Sequence, residues 1–157
     1  MTVTPIYTGS PALNASVFLA TQYSSEHLIN LLKVKKQLIQ LHLSDMPVSD
    51  NDVITINKFI ALEKLVLNGT KITDNGILNL TNLKSLENLS LANTSVSKSI
   101  EPLFNKLPML KQVYISDTNI EDNTMSQWKK KYSHITFHKS SGEDIKIKLS
   151  PPSIDNE

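Results

Sequence analysis

One beat governs the middle of this chain. "LEKLVLNGTKITDNGILNLTNLKS", residues 62–85, is followed at once by "LENLSLANTSVSKSIEPLFNKLPM", with leucine at the first, fourth and sixth places of each and Thr at the ninth. Rows of 24 put Leu38, Leu62, Leu86 and Leu110 at position one, and Leu41, Leu65, Leu89 and Val113 at position four. Position six holds Leu43, Leu67, Leu91 and Ile115, and position eleven Val48, Ile72, Val96 and Ile120. One period earlier, Val17 and Leu19 fall at positions four and six, so a degenerate first row is expected from Asn14 and the repeats number about five.

Positions four and six lie two apart and share one face of a short strand, while their neighbours face the other way. Three of these rows then carry a helix-start signal at position thirteen, where Asp50, Asp74 and Asp122 stand, followed by helically spaced apolar residues such as Ile77, Leu80 and Leu83. A strand that returns beside its predecessor every 24 residues builds a parallel sheet. The expected fold is therefore an α/β solenoid, with a concave parallel sheet and convex helices. "LxxLxLxxTxIxD" resembles the leucine-rich repeat family over residues 14–138, with Thr where Asn or Cys more often stands. A Thr hydroxyl both donates and accepts, so Thr70, Thr94 and Thr118 are expected to form a ladder tying the loops together.

Three segments follow: an extended or capping stretch at 1–13, the repeats at 14–138, and a capping strand with linker at 139–157. Trp128, Tyr132, Ile135 and Phe137 read as a last helix and strand about two residues shorter than the period, closing the stack. Ile145, Ile147 and Leu149 alternate before a double proline, the pattern of an added strand.

Composition narrows function by exclusion. Sixteen Lys and Arg against fifteen Asp and Glu leave a net charge of +1, which gives no drive toward nucleic acid or an anionic membrane. The absence of Cys removes disulfides, thiolate metal sites and cysteine nucleophiles. No signal peptide and no apolar run of membrane-spanning length is present in these residues. Nor is there a GxSxG, HExxH, P-loop or GxGxxG motif, so no enzyme and no cofactor are expected.

The residues that invite a chemical reading have simpler ones. His134 and His138, four apart on a strand, stand about 13 Å from each other, too far to share a zinc ion. The column Glu26, Asp50, Asp74 and Asp122 suits helix caps better than a calcium or catalytic ladder, because Lys98 interrupts it. Five N-x-Ser/Thr triplets, at Asn14, Asn68, Asn79, Asn88 and Asn93, arise readily in a chain this rich in those residues.

What remains is the concave face. Position five carries Phe18, His42, Val66, Ser90 and Tyr114, flanked at position three by Gln40, Lys64, Asn88 and Gln112. A nearly neutral surface with a few large anchors suits a protein partner, with Phe18, His42, Lys64, Val66, Gln112 and Tyr114 as contact candidates. A spacer between domains of one polypeptide and a carbohydrate-binding surface are the alternatives.

"LNGTKITDNGILNLTNLKSLENLSLANTSV", "VYISDTNI" and "IKIKLSPPSIDNE" resemble the repeat region of large bacterial envelope proteins that also carry a c-type cytochrome domain. The resemblance implies a periplasmic or cell-envelope module taken from a longer chain, with a protein or other domains of the parent chain as partner. Neither the haem motif nor a membrane segment is among these residues, so no electron-transfer role passes to any of them.

Overall fold

The computed structural model describes residues 1–6, 8–16 and 23–140. Within them a seven-stranded sheet runs in chain order: β1 (Thr2–Pro5), β2 (Leu13–Ser16), β3 (Leu38–His42), β4 (Lys64–Val66), β5 (Asn88–Ser90), β6 (Gln112–Tyr114) and β7 (Thr136–His138). β1 pairs antiparallel with β2, and every later pair is parallel. Parallel neighbours need a crossover, and here each carries helix: α1 (Ser25–Leu31), α2 (Asp50–Ile56), α3 (Asp74–Ile77), α4 (Glu101–Phe104) and α5 (Asp122–Lys131). The fold is α/β with a mainly parallel sheet.

The recurrence sets the strand register. Leu41 pairs with Leu65, Leu65 with Leu89, Leu89 with Val113 and Val113 with Phe137, each a step of 24 residues. These side chains and those at position six are almost wholly buried, in one core shared with Leu28, Val53, Ile56, Ile77, Phe104 and Trp128 from the helices. Each such leucine contributes about 1.5–3 kcal/mol by leaving water. That column explains why strands of only three residues hold their alignment.

After each of β3 to β6 the chain turns through a left-handed residue at position eight: Asp45, Gly69, Asn93 and Asp117, with φ of 58°, 62°, 52° and 52°. Asp, Asn and Gly are the residues that accept this conformation at least cost. The turn aims backbone N–H groups at the next row, Asp45 N–H to Asn68 O at 2.8 Å and Gly69 N–H to Ala92 O at 2.9 Å.

Two boundaries differ from expectation. In the first row Ala15 pairs with Leu41 and Ser16 with His42, an offset of 26 residues, so Ala15 rather than Val17 fills position four. Val17 and Leu19 lie outside the described residues. In the last row Phe137 takes position four at the full period, instead of the row ending two residues short. Ile135, also buried, lies before β7 and had drawn the strand forward. The expected strand over Ile145, Ile147 and Leu149 also lies outside the described residues. No helix among those described is long and apolar enough to cross a membrane.

Candidate functional site

The face of the sheet turned away from the core is ordered by the same register. Gln40, Lys64, Asn88, Gln112 and Thr136 stand side by side, and two residues further along come His42, Val66, Ser90, Tyr114 and His138. Alternation along each strand places both columns on one face. His42, Lys64 and Gln112 are half-buried, while Val66 at 2% and Tyr114 at 5% exposure lie beneath their neighbours. Val66 and Tyr114 thus form part of the floor of this face. Phe18 lies outside the described residues, and Ser16 pairs with His42 where Phe18 was expected.

Polar bonds stitch the floor together. Asn68 Oδ1 accepts from Ser90 Oγ at 2.6 Å and from the Ala92 N–H at 3.0 Å, so a buried amide joins two rows. Tyr114 donates its hydroxyl proton to Gln112 Oε1, and its ring stacks on His138 with centroids 4.4 Å apart and planes 8° from parallel. His42 Nε2 and Ser44 Oγ lie 2.8 Å apart, within hydrogen-bonding distance. Burial lowers the Lys64 ammonium from its ordinary value and raises the Tyr114 hydroxyl. Burial, with Lys129 adding repulsion, also lowers the His138 imidazole. Each shift disfavours the charged form, as desolvation does.

His138 was absent from the residues singled out for this face. Its signal was its distance from Tyr114, one full period, hidden by the reading of a short last row. His134 instead sits before β7 with its ring edge toward Tyr132, 6.4 Å between centroids, so the two histidines serve different surroundings. Among the described residues no group of three His, Cys, Asp or Glu side chains is placed to hold a metal ion.

The Thr column does not bond hydroxyl to hydroxyl between rows. Thr70 donates to Leu67 O at 2.7 Å, Thr94 to Leu91 O at 2.6 Å and Thr118 to Ile115 O at 2.9 Å, each within its own turn. A hydroxyl has one proton, so none remains for the neighbouring Thr.

Rows are tied by the Asp column instead. The caps of α2 and α3 are Ser49 and Thr73, and Asp50 and Asp74 are the first helical residues after them. Asp50 accepts from the Thr73 N–H at 2.8 Å and Thr73 Oγ1 at 2.6 Å; Asp74 accepts from the Ser97 N–H at 2.7 Å and Ser97 Oγ at 2.6 Å. Each carboxylate therefore secures the cap of the following row. Asp52 extends the tie backward, accepting from Ser25 Oγ at 2.5 Å and the Ser49 N–H at 2.9 Å. Burial acts to raise its carboxyl, but the bonds from Ser25 and Ser49 prevail and hold it below the usual value. Asp122 follows Glu121, the cap of α5, and pairs with Lys139 at the surface.

Leucines at the repeated positions, aligned in neighbouring parallel strands and buried in one core, give the chain leucine-rich repeat character. No family model matches it, and no curated protein does. Among solved structures, internalin C2 of Listeria monocytogenes is similar with a TM-score of 0.49 and 22% identity, over 59% of this chain and 38% of that one. The match thus spans well under half of the internalin.

Proposed function

We propose that this chain is a non-enzymatic protein-interaction module, a leucine-rich repeat solenoid of about five 24-residue repeats whose sheet forms the concave side. The observation that carries this reading is the column Gln40, Lys64, Asn88 and Gln112, held in register on adjacent strands. Three amides and an ammonium at strand spacing of about 4.8 Å offer donors and acceptors to a polypeptide laid across them. His42 and Lys64, half-buried above a floor that includes Val66 and Tyr114, are the anchors we assign to the contact. By its resemblance to envelope repeat proteins, residues 14–138 act at the periplasmic or cell-envelope side as part of a longer chain.

The second reading is a spacer that orients neighbouring domains of the parent chain. Burial of the middle of the face favours it, since Val66, Asn68, Ser90 and Ala92 are each under 5% exposed. Affinity capture from an envelope fraction separates the two readings. The doubly substituted Lys64→Glu, Gln112→Ala protein, compared with the parent at a temperature where circular dichroism shows both folded, should lose a partner that the parent retains. Capture of the same proteins in the same amounts by both would remove the concave face from the contact and leave the spacer.

A further inference from the structure

The series of Asp bonds to the cap of the following row stops at Lys98. Asp74 secures Ser97, but the residue after Ser97 is a lysine, with no acceptor to offer the next row, and Glu121 makes no side-chain capping bond. Beyond this break Glu101 takes over, accepting from Lys131 Nζ at 2.6 Å and from the Tyr132 hydroxyl at 3.2 Å. Where these elements meet, a groove of about 500 Å³ opens, lined by Lys98, Ser99, Pro102, Asn105, Lys131 and Tyr132 beside Glu101. That volume lies within the range of about 300–1,000 Å³ typical of ligand sites.

The lining carries two cations and one anion, and the anion is already engaged. Lys131 keeps two further ammonium protons after serving Glu101. Lys98 is exposed and has no ion-pair partner among the described residues. Pro102 supplies apolar wall, and the Asn105 amide, which donates to the hydroxyl of the largely buried Tyr132 at 3.4 Å, keeps a second proton. A bare anion would use the lysines alone, whereas a peptide would use walls and amide as well.

We propose that this groove binds an acidic peptide segment of a partner protein, with an Asp or Glu carboxylate between Lys98 and Lys131 and the peptide's apolar atoms against Pro102. The groove belongs to the helix layer and shares no residue with the sheet-face contact, so either proposal can fail alone.

The test titrates the isotope-labelled full chain with acetyl-Glu-Tyr-Glu-Pro-Glu-amide and with its Gln counterpart, following backbone amide signals. Saturable shifts centred on Lys98, Ser99, Asn105, Lys131 and Tyr132 are expected, with binding about tenfold weaker for the Gln peptide and for the Lys98→Glu protein. Shifts elsewhere, no shifts, or equal binding of both peptides would overturn the proposal. So would inorganic phosphate giving the same shifts at the same concentration, which would mark a simple anion site.

Discussion

His138 shows how one residue joins fold to surface. Its ring covers Tyr114, and its Nε2 is shielded from solvent without a hydrogen-bond partner among the described residues. Burial and Lys129 lower its proton affinity in the folded protein. As pH falls through about 6.5, the ordinary imidazole value, the unfolded chain takes up the proton first and unfolding becomes easier. This penalty grows until pH passes the lower folded value and is absent at neutral pH and above. His138→Phe keeps a ring against Tyr114 and removes the titration. Melting temperatures at pH 7.5 and 5.5 should therefore drop less for the variant than for the parent, and an identical drop would show that protonated His138 is accommodated without cost. The sequence placed Tyr114 in its column but not its stacking partner, because Ile135 and Phe137 mimic the two inward leucines of a strand that begins one residue later.

Among the repeated elements, strands were the most legible and turns the least. Leucines two apart specify an inward face unambiguously, which is why β3 to β6 emerge where the period puts them. Asp45, Gly69, Asn93 and Asp117 share no side-chain chemistry that marks a column, and only a left-handed turn unites Gly with Asp and Asn. Asp50 and Asp74 were legible as helix-start residues, yet their partners lie 23 residues away and no local rule reveals them. Gly76 in α3 makes this long-range tie possible. A Cβ there would stand 2.2 Å from Asp50 Oδ1 and 3.1 Å from Asp50 Cα. Helix propensity alone favours Gly→Ala by about 0.5–1 kcal/mol, whereas displacing the carboxylate that serves Thr73 costs about 1–3 kcal/mol. Gly76→Ala is therefore expected to lower the urea midpoint. A raised midpoint would mean that Asp50 steps aside freely and that the tie between rows contributes little.

Among the described residues of the whole molecule, each strand pairs only with its neighbours in sequence, so stability is passed along the row instead of converging on a centre. The far end is closed by size. Position nineteen carries Ile56, Leu80, Phe104 and Trp128 in successive rows, all at most 2% exposed, and the last two meet edge to face at 5.0 Å between ring centroids. Tyr132 and Phe137 complete the cluster around Phe104. Trp128 and its companions were legible as a closing group, but Phe104 was not, because inside a repeat a buried Phe looks like any other core residue. In a linear array, damage at an end and damage in the middle spread differently. Trp128→Ala should cost about 3–5 kcal/mol and Leu89→Ala about 2–5 kcal/mol, amounts that overlap in a denaturant curve. Native-state hydrogen exchange distinguishes them. Loss of Trp128 should strip protection from β7 and β6 first and leave β3 and β4 nearly unchanged, because α5 packs beside the former and the latter lie several strands away. Loss of Leu89 should weaken β4, β5 and β6 together, since β5 separates the two halves. If Trp128→Ala instead lowered protection evenly from β3 to β7, the rows would be opening as one cooperative body, and nearest-neighbour coupling would be the wrong description of how this sheet is held.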